Sequence, residues 1–149
     1  MRADRATGLD AVDHRLRDLP ASVRELSGDV TAFDARRAVA ETRERQDPIY
    51  WVDLEVAADW FLIGDNGQGD EWWLGPRGDV WFLDHTEGER SVSRLQAMHL
   101  SVTEWIMTGH LLGAFEQIDE PTDLDVARLR AGMEAISPEL TARWPYAPV

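Results

Sequence analysis

The chain of 149 residues is predicted to be an α+β protein, an antiparallel β-meander of about four to six strands packed against several helices. Three observations predict it. Apolar residues recur at helical spacing before residue 47 and again after residue 101. Between them, short β-branched and aromatic runs alternate with Gly, Asn and Asp turns. The runs that start at Trp60, Glu71 and Val80 begin about ten residues apart, and links that short cannot make the crossover that a parallel pair requires. One domain is expected at this length, large enough to fold without a disulfide or a metal.

The elements follow in order. Leu9, Val12, Leu16 and Leu19 form the stripe of an amphipathic helix that ends near Pro20. Val23 and Leu26 predict a short further helical piece closed by Ser27-Gly28. Thr31 is the expected cap of a third helical segment, carrying Phe33, Ala35, Ala38, Val39 and Thr42. Arg37 and Glu41, and Glu41 and Arg45, sit four apart on its solvated face. Pro48 stops it, so residues 1–47 are expected to be the helical N-terminal part. Residues 49–100 are expected to hold the sheet. Its strand candidates are Ile49–Val52, Trp60–Gly64, Glu71–Leu74, Val80–Asp84 and a short Leu95–Leu100. Residues 101–140 return to helix. Ser101-Val102-Thr103-Glu104 is a capping box, in which each side chain satisfies a free backbone donor. Its helix should run to about Gln117 with Val102, Trp105, Ile106, Gly109 and Leu112 inward. Pro121-Thr122 opens the next, Ser137-Pro138-Glu139 restarts or redirects the chain, and the tail from Arg143 onward is expected to be extended.

Composition bounds the chemistry. No cysteine is present, which excludes disulfides, thiol nucleophiles and cysteine-ligated metals. The N-terminus lacks the apolar core of a secretory signal, and no apolar run approaches the ~20 residues that span a bilayer. A soluble, cytoplasmic protein is expected. Residues 1–45 carry nine Arg and nine Asp/Glu, whereas residues 46–149 carry six Arg and nineteen Asp/Glu, so the whole net charge of −13 lies in the later part. Such a surface repels nucleic-acid backbones and favours basic partners, and acidity also confers solubility.

The stretch Ile63–His85, IGDNGQGDEWWLGPRGDVWFLDH, invites a phosphate-loop or calcium-loop reading. A dinucleotide fingerprint needs a third glycine and a following helix. Here Asp70-Glu71-Trp72 follows, a strand with acids that repel pyrophosphate. Counted from Asp65, the third and fifth positions of a calcium loop are glycines and the sixth is Asp70, against the EF-hand pattern. The glycines are read as turns. His85-Thr86-Glu87 mimics the H-x-E of zinc deaminases, but their P-C-x-x-C partner requires cysteine. His14, His85, His99 and His110 include no metalloprotease pair at i, i+4. No catalytic, cofactor or metal residues are therefore assigned. Seven tryptophans are the remaining signal. Trp60, Trp72, Trp73 and Trp81 fall on three consecutive candidate strands and so project to both sheet faces. Either all are core, or part of one face binds a partner.

Asp59–Gly88, DWFLIGDNGQGDEWWLGPRGDVWFLDHTEG, resembles the SUKH superfamily. That group includes fungal regulators of cell-wall glucan synthesis and many bacterial immunity proteins. The resemblance rests on Ile63-Gly64, the Asn66–Asp70 turn, Trp72–Leu74 and Val80–His85, followed by the Ser101–Gln117 helix. It covers roughly residues 59–117. Before that the chain departs: Leu19-Pro20 and Leu26 answer part of the pattern, and Ser27-Gly28-Asp29 stands where the family places an N-G turn. The resemblance implies a single SUKH-like, non-catalytic domain that binds other proteins. It further implies an immunity protein neutralising a cognate bacterial toxin by stoichiometric binding, the toxin being a basic nuclease- or deaminase-type domain. An adaptor or regulatory scaffold with a non-toxin partner is the alternative. A small hydrolase or metal enzyme using scattered acids and His85 is a third reading. The candidate contacts are Asp65, Asp70, Glu71, Asp79 and Asp84, with Trp72, Trp73 and Trp81 as anchors.

Overall fold

Strands form where aromatic and β-branched residues run between residues that turn the chain, and six such runs pair into one sheet. The structure is a computed structural model that describes residues 13–47, 49, 51, 59–87 and 91–146. The strands are β1 (Arg24–Ser27), β2 (Val30–Ala32), β3 (Phe61–Asp65), β4 (Glu71–Leu74), β5 (Asp79–Leu83) and β6 (Gln96–Ser101). They lie in sequence order and every neighbouring pair is antiparallel. The expected α+β meander is thus present with six strands. Register is regular across β4–β5, where Trp72 faces Phe82 and Trp73 faces Trp81. Irregularities interrupt β1–β2, β3–β4 and β5–β6, and such bulges bend a sheet and increase its twist.

Four α-helices flank the sheet: α1 (Ala35–Arg45), α2 (Val102–Glu116), α3 (Asp123–Ile136) and the one-turn α4 (Leu140–Arg143). The capping box predicted at Ser101 formed, and a second one stands at Thr122. Ser101 and Glu104 make a reciprocal capping box at α2, and Thr122 does the same with Asp125 at α3. Trp72 and Trp73 are neighbours on one strand, so they point to opposite faces. Trp72 meets Trp105 of α2. On the other face Glu71, two residues from Trp72's opposite-facing neighbour, meets Arg45 of α1. Helices α1 and α2 therefore cover opposite faces. Thr42 of α1 fixes the first contact, accepting from the backbone N–H of Leu62 (2.8 Å) while donating to Ala38 O. At the far edge, the Arg143 guanidinium donates to Met98 O of β6 (2.9 Å). No helix among the described residues is long and apolar enough to cross a membrane.

The N-terminal part corrects the sequence reading. The helix expected from Leu9 lies partly outside the described residues; from His14 the chain makes a single 3₁₀ turn to Leu16. Val23 and Leu26 do not continue a helix: they lead into and occupy β1. Thr31 is no cap but the middle of β2, between buried Val30 and Ala32. The cap of α1 is Asp34, whose carboxylate accepts from Arg37 N (2.8 Å). The sheet therefore starts at residue 24 rather than 49. The strand expected at Ile49–Val52 is described only at Ile49 and Trp51, and Trp51 is buried.

The reason is tertiary. Helix α2 crosses β1 so closely that a Cβ on Gly113 would stand 2.0 Å from Leu26 O. Glu116, at the end of α2, accepts the Gly28 N–H with both carboxylate oxygens (3.1 and 2.9 Å). These contacts hold the 27–30 turn and favour a hairpin that local propensity does not. In an isolated helix, alanine is favoured over glycine by about 1 kcal/mol. Here Gly113→Ala is expected to do the reverse and lower the urea midpoint, because backbone must shift to admit the methyl. A midpoint equal to or above wild type would contradict the close approach.

Candidate functional site

The β3–β4 connection is built by Asn66. Its side-chain oxygen accepts from Gln68 N (2.9 Å) and Asp70 N (3.2 Å), and its own N–H reaches Asp70 O. Gly67 and Gly69 between them hold φ of 80° and 109°, which L side chains rarely adopt. The loop is a self-bonded turn, not an open cradle.

The turn delivers Asp70 into a nearly closed site, 7% exposed. Its Oδ1 accepts from His85 N (3.0 Å) and lies 2.5 Å from His85 Nδ1. Its Oδ2 accepts from Tyr146 OH (2.6 Å) and Asn66 Nδ2 (3.1 Å). Burial raises the carboxyl, but the bonds from Tyr146 and His85 and the His85 charge outweigh it and hold Asp70 below the usual range. Burial and the adjacent Asp70 push the Tyr146 phenol far up. Asp84 begins the next turn, its Oδ1 accepting from Thr86 N (2.9 Å) and Oγ1 (2.7 Å). Ligand-type atoms of Asp70, Asp84 and His85 lie within 4.8 Å of one another, the one such group among the described residues. Four protein donors already occupy Asp70, so its geometry is that of a structural tie.

The eight residues expected to contact a partner separate into two sets. Trp72 and Trp73 are fully buried, and Asp70 and Glu71 nearly so. Trp72 lies between Phe82 (4.8 Å between ring centroids) and Trp144 (5.0 Å), its Nε1 donating to Asp29 O. Trp73 packs edge-on against Trp51 (5.0 Å) and donates to Glu71 Oε1 (3.1 Å). The chain itself covers these four side chains, which places them in the core rather than on the surface. Asp65, Asp79, Trp81 and Asp84 remain partly exposed. They form no single patch. Asp65 pairs across the sheet with Glu71, and burial raises its carboxyl. Trp81 leans on Trp60 (5.3 Å). Asp84 lines a polar cleft of about 430 Å³ with Phe82, Ser93, Arg94, Gln96 and Pro145.

Sequence reasoning missed His85 and Tyr146 as partners of Asp70, and Trp144 as the cover of Trp72. The glycine-rich Asn66–Asp70 run signalled the turn there, but not its partners. No protein-family model, no curated protein and no solved structure matches the chain.

The two carboxylates that hold the C-terminal tail have opposite pH signatures. Asp70 lies below its ordinary 3.8, so its stabilisation is full above that pH and lost as pH falls through the lower folded value. Asp70→Asn should lower stability at neutral pH and flatten the acid limb of the stability–pH curve. Tyr146→Phe, which removes one donor, should cost about 1–2 kcal/mol. Asp29 accepts from Trp144 Nε1 (2.9 Å) and is raised, by burial first and also by Glu116. Its ionised form costs stability at neutral pH, and that cost fades as pH falls through the raised value. Asp29→Asn retains an acceptor for Trp144 and should leave neutral-pH stability unchanged or higher. Urea unfolding of the variants from neutral to acid pH checks both signs, and equal losses in D70N and D29N would contradict them.

Proposed function

We propose that this chain is a non-catalytic protein-binding domain acting as an immunity protein, which neutralises a cognate bacterial toxin in the cytoplasm by stoichiometric binding. The observation that carries the reading is the net charge of −13, all of it contributed from residue 46 onward. Toxins that act on nucleic acids, as nucleases or deaminases, need basic surfaces to hold a phosphate backbone. An acidic antidote is steered onto such a surface and opposes it by charge. The resemblance of Asp59–Gly88 to the SUKH superfamily supports the same class. In this reading the aromatic residues of that stretch build the scaffold, and the acids outside the core meet the partner.

The test is co-expression with the toxin domain encoded by a neighbouring gene. Restored growth and a one-to-one complex are expected, with association slowing by roughly tenfold or more as salt rises to physiological strength. No rescue and no complex with any toxin encoded beside it would overturn the proposal. A stable complex with a different cellular protein would favour the adaptor alternative.

A further inference from the structure

The corner between α2 and α3 differs from the rest of the surface. Residues 116–125 read EQIDEPTDLD, with five acids and no base. Every residue from Glu116 to Leu124 is exposed. Two large apolar side chains stand among the acids, Ile118 at 38% exposure and Leu124 at 57%. Beside them opens a groove of about 230 Å³, lined by apolar Leu111, Phe115, Ile118 and Leu129, with Asp125 and Arg128 as its charged residues. An apolar groove beside a run of acids is chemically specific in a way that either feature alone is not.

Two of the acids have work within the fold. Glu116 holds Gly28, and Asp125 closes the capping box of α3. The side chains of Asp119, Glu120 and Asp123 make no hydrogen bond or ion pair among the described residues. Glu120 stands at φ 54°, a left-handed conformation that glycine takes at lower cost. Three like charges within five residues repel one another, and a cationic partner relieves that repulsion.

We propose that this α2–α3 corner docks a basic amphipathic segment of a protein partner. An apolar side chain enters the groove, and flanking Lys or Arg residues face Asp119, Glu120 and Asp123. This is recognition of an amphipathic segment by an apolar groove, with charges setting partner choice. A second copy of the chain fits poorly, since a two-fold contact would set one acidic corner against another. The inference rests on the reading of the chain as a binder of basic proteins. It moves the contact from the sheet turns, where four of the eight expected residues are core, to the helical corner.

Two variants of exposed side chains test it: Ile118→Ser with Leu124→Ser, and Asp119→Asn with Glu120→Gln and Asp123→Asn. Unchanged melting temperatures would verify that each still folds. The first probe is a synthetic Leu/Lys peptide with leucines at helical spacing, alongside a scrambled peptide of equal charge and a Glu-for-Lys counterpart. Backbone amide shifts of the full chain should move across residues 111–129. Each variant should bind the patterned peptide roughly tenfold more weakly, and the acidic counterpart should not bind. Shifts confined elsewhere, wild-type affinity in both variants, equal binding of the scrambled peptide, or self-association through this corner would each overturn the proposal. The second probe is the toxin domain of the neighbouring gene. A one-to-one complex unaffected by either variant would sink the corner and leave the binder reading standing. Peptide binding lost in the variants, with no toxin bound by wild type, would sink the toxin reading and leave the corner standing.

Discussion

A carboxylate taken out of water must recover every hydrogen bond it gave up, or the fold carries an uncompensated charge. Asp70 recovers them from three parts of the chain. Asn66 donates from the turn it shares, His85 from the end of β5, and Tyr146 from the C-terminal tail. One side chain thus joins a turn, a strand end and the tail. The tail then sets Trp144 against Trp72 at 28° between planes and Tyr146 edge-on to Phe82. Each aromatic contact of this kind contributes about 0.5–1.5 kcal/mol beyond burial alone. Truncating a core tryptophan costs roughly 3–5 kcal/mol, a large fraction of the ~5–15 kcal/mol by which domains are stable.

The sheet is covered on both faces by different means. Helix α2 and the tail close the Trp72 face, while α1 and Trp51 cover Trp73. Glu71 is satisfied within that second layer by Trp73 and Arg45. The aromatic residues that drew attention in the sequence are thereby absorbed by the scaffold. The acid surplus is not absorbed: Asp119, Glu120 and Asp123 stand on a helical corner outside the sheet. The scaffold is aromatic, and the proposed recognition surface is a separate, acidic region.

Much of the fold was legible because its signals are local. Strands β3 to β6 were each placed within a residue or two, since β-branched and aromatic runs between turn residues carry their own geometry. The cap at Ser101 and the helix start at Thr122 were legible because helix-start signals span only about four residues. The β1–β2 hairpin was not, since it depends on Gly113 and Glu116, which lie far along the chain. Neither was the burial of Asp70 and Trp72, for the same reason. Tyr146 and Trp144 are separated from them by more than seventy residues, and no local pattern encodes such a pairing. The candidate site was legible as an acidic, aromatic region and illegible in its division between core and surface.

The central claim is that the C-terminal tail belongs to the cooperative core through Asp70 and the Trp72–Trp144 stack. Native-state hydrogen exchange at the two indoles tests it most directly. Both Nε1 groups donate to Asp29, Trp72 to its backbone oxygen and Trp144 to its carboxylate. The Trp144 indole proton should exchange only through global unfolding, with the same opening free energy as the amides of β4. Fast exchange of the Trp144 indole by local opening, while β4 stays protected, would show a tail that merely rests on the sheet and would contradict the account.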